Sequence, residues 1–480
     1  MDKFPREVEI VIALGYKGDL LKQFLLCAYP DRTLTFVDVD KFEGEGSGLG
    51  YTILQCKKFL QCPFVFCAND TIILEDVPEP TENWIGISYI TDTTNYRTVS
   101  LKDDNVMSLN EKGTPGIGLL PYIGLAGIAD HEIFWNEMES GRNYGSITEG
   151  ESYGLKVLIS EESVTVKEFS WFDIGSIAQL KTAEEYFRTQ NSPNILPKVG
   201  EAIWFVDKKV IKYSADTEFI YKRVARAKTL AGFVPEIINS LDNIYVYREV
   251  AGQTLAKTCN AAIFINFLNF MKGLWKPVGN QNIKSQCQAF YKEKTLERIQ
   301  QYFNRFTDQT DSRETINGIT IPKIETIIDK LDWKMICDGC PRQIHGDLHF
   351  ENILLTETGE FVLLDWRQDF AGQDSFDIYY DLAKLLHGLI ISHEMVRQNQ
   401  FTYSEENNII NIDIPISFKL LELQQILKRF VIREDLSWDK VKILTAIVFL
   451  NCAPLHEEIY GKFLFHLGKY LLWRDMDSPC

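Results

Sequence analysis

No apolar run in the 480 residues approaches the ~18 that a membrane span requires. The amino terminus (MDKFPREVEIVIALGY) carries acids where a secretory leader needs a basic start. A basic excess is also lacking. Lys and Arg number 50 against 67 Asp and Glu, a formal charge of −17, which argues against nucleic acid or an anionic membrane as a bulk partner. Anionic substrates stay open, because bound Mg²⁺ can reverse the local sign. The ten cysteines show no disulfide-like framework. Cys337 and Cys340 form a lone C-x-x-C with no second pair at zinc-ligand spacing, which is weak support for a metal or redox role. A reduced, cytoplasmic protein is the expectation.

What is present is ordinary globular chemistry, 45% apolar and 24% charged. The length is about three times a usual single domain, so two or three domains are expected. The acid is uneven: residues 1–190 carry a net −14 and the remainder −3, which suggests two units with different tasks.

Residues 6–15 read as a strand entering a glycine turn, 17–29 as a helix and 33–40 as a second strand. A glycine-rich stretch (Gly44, Gly46, Gly48, Gly50) precedes a helix across 51–61 and a buried strand, PFVFCAND, at 63–70. Strand, helix, strand, helix, strand is the pattern of a parallel α/β sheet. Strands follow at 83–90, 121–128 and 163–169, then a helix from about 176 to 189. NSPNILPKVG (191–200), with two prolines and a glycine, reads as a linker. Residues 201–214 read as a hairpin turning at Asp207-Lys208, 216–232 as an amphipathic helix stopped by Gly232, and 243–250 as a strand. From 255 onward the spacing is helical, broken by one β-rich island at 343–366.

That island holds the strongest chemical signal. Residues 344–352 are IHGDLHFEN, followed by ILL, a turn at Thr358-Gly359-Glu360, and FVLLDWR. Phosphoryl transfer to an alcohol needs a base near the hydroxyl and oxygen ligands for Mg²⁺. Asp347 and Asn352 stand at the D-x-x-x-x-N interval of a kinase catalytic loop, and Asp365 ends the next strand. The segment, and with it roughly residues 198–480, resembles the aminoglycoside phosphotransferase and choline kinase family. The resemblance implies an α+β protein-kinase-like two-lobed domain over 201–480, with a small lobe at about 201–254 and a large lobe at about 255–480. It also implies ATP and Mg²⁺ as cofactors, Asp347 as catalytic base, Asn352 and Asp365 as Mg²⁺ ligands, and His345 as a structural member of the loop. No Ala-Pro-Glu motif follows Asp365 where a protein kinase carries one.

Upstream, VIKY (210–213) resembles the strand whose lysine grips ATP phosphates, making Lys212 the candidate, with Glu218 as its candidate carboxylate partner. YREVAG (247–252) resembles the hinge over which adenine lies, with contacts near Glu249 to Ala251. No G-x-G-x-x-G covers the phosphates. Arg367 stands where choline kinases tend to carry an acid. A cation there would hold an anionic group on the acceptor or pair with Asp369, and the first option favours a sugar acid or phosphorylated polyol over a quaternary amine. Asp381 is expected to brace the catalytic loop.

Residues 1–190 resemble the sugar-phosphate nucleotidyltransferases, an α/β fold with a Rossmann-like mixed sheet. The points of contact are EIVIALGYKGD (9–19), GEGSGLGYT (44–52), PFVFCAND (63–70), EKG (111–113), YIGLAGI (122–128) and WFDIG (171–175). The resemblance implies Asp70 and Asp173 as Mg²⁺ ligands, Lys112 as a sugar-phosphate contact, a glycine stretch approaching a base, and CTP or UTP as a possible second nucleotide. The family opens with a glycine-rich loop carrying Arg and Lys. This chain shows none, so the unit is expected to be N-terminally incomplete.

The combined expectation is a kinase for a small hydroxyl compound, fused to a unit that makes nucleotide-activated precursors of surface polysaccharide. The alternative is a kinase with a non-catalytic sugar-nucleotide-binding or oligomerisation module.

Overall fold

The computed structural model describes residues 1–188, 200–279, 282–306, 313–370, 372–373, 375–415 and 417–477. The chain divides into two compact units, Met1–Pro197 and Lys198–Cys480. All of the expected linker except Gly200 lies outside the described residues.

In the first unit Ile10–Leu14 and Leu34–Asp38 pair in parallel, joined by the helix Gly18–Ala28. The expected continuation into one parallel sheet does not occur. Phe64–Cys67 runs antiparallel to Leu120–Ile128 and belongs to a separate six-stranded sheet. That sheet runs Phe64–Cys67, Leu120–Ile128, Asn83–Ile87, Val164–Glu168, Asn105–Asn110, Thr98–Lys102. Only its Asn83–Ile87 and Val164–Glu168 pair is parallel. Every residue of Asn83–Ile87 is buried, as a central strand covered on both faces must be. The helices His131–Ser140 and Glu151–Glu161 supply Phe134, Trp135, Met138, Leu155 and Leu158 to the core beneath it. Trp135 stacks on Phe64 at 5.3 Å between ring centroids. Side chains of this size, fully buried, contribute roughly 1.5–3 kcal/mol each.

The second unit opens on an antiparallel sheet in the order Glu201–Val206, Lys209–Ser214, Ile244–Arg248, Ile237–Leu241. Its first hairpin turns at Asp207 and Lys208, both with positive φ (47° and 56°), as a two-residue turn of this hand requires. The helix Thr217–Thr229 follows, capped by the Asp216 carboxylate accepting from the Phe219 amide at 3.1 Å. Next come a small sheet of Gln253–Thr254, Ile353–Leu355 and Phe361–Leu363, and a body of helices. Trp438–Cys452 has nine buried residues spread around its circumference.

The expected single β-island is incomplete. A four-stranded sheet of Ile319–Ile321, Glu314–Ile316, Ile409–Asp413 and Thr402–Glu406 packs against the helix Glu458–Asp477. Its strands of three to five residues are too short to give a period-2 signal among helices.

Candidate active site

The His-Gly-Asp loop is held from below by one carboxylate. Asp381, fully buried on the helix Ile378–Ile390, accepts from the His345 amide (2.8 Å), the Gly346 amide (2.7 Å) and Trp275 Nε1 (2.9 Å). Burial raises its carboxyl pKa, and these three donors offset part of that rise. Gly346 has φ +90°, and a Cβ there would sit 2.4 Å from Phe370 Cζ, so the loop admits no side chain at this position. His345 is fully buried. Burial pushes its ring pKa down to about 3, so the ring is neutral, and its Nδ1 accepts from the Asp347 amide at 3.3 Å.

These constraints present the Asp347 carboxylate, which pairs with Lys384 Nζ at 2.9 Å and lies 3.8 Å from His349 Nε2. Partial loss of water acts to raise the Asp347 pKa. Lys384 and His349 outweigh it and hold the carboxyl well below its usual range, so it is ionised at neutral pH. Asn352, buried in a short 3₁₀ turn, directs Nδ2 to the Asp347 carbonyl (2.9 Å) and to His349 Nε2 (3.1 Å). His349 Nδ1 lies 3.1 Å from Glu351. Burial acts to raise the Glu351 pKa, but His349 and then His393 push it down to about 2.

The next strand joins the same network. The Leu364 amide donates to the Asn352 carbonyl (2.8 Å) and the Arg367 amide to the His345 carbonyl (3.0 Å). Asp365, between them, has φ +57°, a conformation that costs a non-glycine residue roughly 1 kcal/mol or more and is common at functional sites. Its carboxylate pairs with Lys212, and Arg223 Nη1 lies 3.6 Å away. Lys212, Asp347, Asn352 and Asp365 are therefore brought together.

One expected partner is placed differently. Glu218 is exposed and pairs with Lys222 (2.8 Å), which also holds Asp369 (2.9 Å). The helix offers arginines to the cleft instead: Arg223 toward Asp365, and buried Arg226, which donates to the Ile344 and Arg367 carbonyls and ties the loop to the strand after Asp365. The Glu249 amide donates to the Lys208 carbonyl at 2.8 Å, and Ala251 lies exposed at the strand's end. Arg367 Nε donates to the Asp369 carbonyl (3.1 Å) rather than pairing with its carboxylate, and its guanidinium lies over Phe290.

Two groups could hold a cation. Asn352 Oδ1 accepts no hydrogen bond among the described residues, and with Asp365 it offers the oxygen donors that Mg²⁺ prefers. His349, Glu351 and His393 place ligand atoms within 4.8 Å of one another, a donor set closer to zinc than to magnesium.

In the first unit, Trp171–Asp173 pairs antiparallel with Thr71–Ile73, which places Asp173 opposite Thr71 and beside Asp70. A Cβ on Gly175 would lie 3.1 Å from Asp173 Oδ1 and 3.4 Å from Asp70 Oδ2, so the two carboxylates face the same small space. Asp173 is already well bonded. Tyr96 (2.7 Å) and Gln179 (2.6 Å) donate to Oδ2, and the Gly175 amide (2.8 Å) donates to Oδ1. Lys112 is exposed in a turn, while its neighbour Glu111 pairs with Lys156 (2.6 Å). The glycine stretch is used internally: a Cβ on Gly48 or Gly50 would collide with the Ile147 or Ser146 carbonyl.

Sequence reasoning missed Lys384, Arg223 and Arg226. The signal for Lys384 was its position three residues after Asp381, one turn along the same helical face.

No protein-family model and no curated protein matches the chain. Among solved structures, its N-terminal region is similar to a CTP:phosphocholine cytidylyltransferase from Streptococcus pneumoniae, at 18% identity and TM-score 0.32, covering 38% of this chain and 78% of that one. It is similar to HddC from Yersinia pseudotuberculosis (19%, TM-score 0.28, 38% and 79%). It is also similar to a UDP-glucose pyrophosphorylase complexed with UDP-glucose (14%, TM-score 0.30, 37% and 79%).

Proposed function

We propose that residues 201–480 form a small-molecule kinase of the aminoglycoside phosphotransferase and choline kinase type, transferring the ATP γ-phosphoryl group to an alcohol. The observation that carries this reading is the single hydrogen-bonded network linking Asp347, Asn352 and the strand that ends in Asp365, with Lys212 on that aspartate. Asp347, ionised and raised on a braced loop, orients the acceptor hydroxyl and takes its proton. Lys212 and Lys384 offset charge on the phosphates and the transferred group. Asn352 and Asp365 would hold Mg²⁺, which supplies charge neutralisation on the nucleotide. Glu249 to Ala251 form the hinge beside the adenine. The test is ADP release with Mg²⁺ and ATP across alcohols, amino alcohols, sugars and sugar acids. Lys212→Met should raise the ATP KM and lower kcat; release that ignores this variant counts against the assignment.

For residues 1–190 we infer a unit built to couple a phosphorylated compound to CTP or UTP, giving a precursor for surface polysaccharide in the cytoplasm. Support comes from the facing carboxylates of Asp70 and Asp173. A second reading, a non-catalytic sugar-nucleotide-binding or oligomerisation module, is favoured by the three hydrogen bonds that already occupy Asp173. Pyrophosphate release with the kinase product and each of four nucleoside triphosphates separates them. No turnover beside intact kinase activity supports the module.

A further inference from the structure

Around the Phe290 ring gather two cations, Lys294 and Arg367, that have no carboxylate partner among the described residues. Lys294 Nζ lies 4.4 Å from the centroid of the Phe290 ring, and Arg367 Cζ lies 4.8 Å from the same centroid. Phe290 meets Tyr380 edge-on at 4.9 Å, and Tyr380 is within electrostatic reach of Arg367, Lys384 and Asp347. Cys452, at the end of its helix, feels the charges of Lys384, Asp347, Lys294 and Arg298. Lys294 and Arg298 come from the helix Lys294–Phe306, Arg367 from the segment after Asp365, and Lys384 from the helix Ile378–Ile390.

Of the four, only Lys384 has a carboxylate partner among the described residues, and that partner is Asp347. Arg298 donates to Gln301 Oε1 (2.8 Å), Arg367 to the Asp369 carbonyl, and Lys294 makes no hydrogen bond among the described residues. Loss of water pushes the Lys294 ammonium down to about 8, and repulsion from Arg367, Arg298 and Lys384 adds to it. Like charges gathered at partial burial destabilise the empty site, and an anion placed among them removes that cost.

We propose that the phosphoryl acceptor is itself an anion. It is a hydroxyl compound whose carboxylate or phosphate monoester is received by Lys294, Arg298 and Arg367 while its hydroxyl faces Asp347. This rests on the kinase reading above. The acceptor oxygen bonds to the γ-phosphorus, the bond from that phosphorus to the ADP oxygen breaks, and the hydroxyl proton passes to Asp347. Guanidinium groups suit either anion because their planar donors match two oxygens at once. The same field repels a quaternary amine.

The test is calorimetric titration of the full chain with glycerate, glycerol 3-phosphate, glycerol and choline, alongside ADP release from each. At least one anion should bind more tightly than glycerol, and choline should not bind. Lys294→Met and Arg367→Met should each weaken that anion roughly tenfold or more. Thermal melting of each variant checks that it is folded. The glycerate and glycerol 3-phosphate arms separate carboxylate from phosphate recognition. Anions binding no better than glycerol, or unaffected by both variants, would overturn the proposal. Lysine-dependent anion binding with no ADP release from any compound leaves the anion site standing and removes the kinase reading. ADP release from choline or glycerol in preference to the anions does the reverse.

Discussion

Lys384 Nζ lies 2.9 Å from the Asp347 carboxylate, so the candidate base carries its own cation from a helix 37 residues downstream. The pair keeps Asp347 ionised, and on the proposed kinase reading it places positive charge beside the transferred phosphoryl group. Replacing Lys384 by Met removes both effects. We expect kcat to fall roughly 10²–10³-fold, the range seen for one preorganised electrostatic donor. The acid limb of the pH–rate profile should move to higher pH, because the influence holding the Asp347 pKa down is lost. A variant with normal kcat and an unmoved acid limb would refute this role.

Among the described residues of the second unit, the Asp377–Lys440 pair is the most enclosed ion pair, with side chains 0% and 3% exposed and 3.1 Å apart. Asp377 also accepts from Tyr291 (3.1 Å) and the Cys340 amide (2.9 Å), tying three segments together. Lys440→Met leaves a buried carboxylate without its cation. Such losses cost about 3–5 kcal/mol. Urea unfolding should show that scale of destabilisation; a change below about 1 kcal/mol would contradict it.

His345 makes stability depend on acid. Its unfolded pKa of 6.5 falls to about 3 in the fold through burial. Above pH 6.5 neither state is protonated and the contribution is intact. Between pH 6.5 and 3 the unfolded chain binds the proton and the fold does not, so stability is lost as pH falls, by up to about 1.4 kcal/mol per pH unit. The variant His345→Gln, which keeps an acceptor for the Asp347 amide, should lose less stability between pH 7 and 5 than the parent. Equal losses would show that another group is responsible.

Lys294 gives the opposite dependence in binding. Its ammonium, lowered to about 8 by loss of water and by Arg367, Arg298 and Lys384, is charged at neutral pH and neutral well above it. The KM for an anionic acceptor should therefore rise as pH increases through 8, and Lys294→Met should abolish that rise. A flat profile in the parent would contradict it.

Much of the second unit's site is legible in local sequence because its residues are close in the chain. IHGDLHFEN and FVLLDW lie on a turn and hairpin whose spacing fixes where Asp347, Asn352 and Asp365 emerge. Lys384, Arg223 and Lys294 are contributed by helices, where solvated lysines and arginines look the same as those aimed inward, so tertiary packing alone distinguishes them. Glu218 was the one acid of its type on its helix, but its first-turn position directs it to Lys222 one turn later. In the first unit, the strand at 63–70 suggested a parallel neighbour of the opening pair. Its partner is Leu120–Ile128, more than fifty residues away, and local periodicity carries no such information.

The account turns on Asp347 as the base for phosphoryl transfer. Asp347→Asn keeps the size of the side chain and removes its charge. With Mg²⁺, ATP and any acceptor that supports ADP release in the parent, the variant should lose roughly 10²–10⁴-fold in kcat with its melting temperature little changed. Unchanged turnover would contradict the assignment.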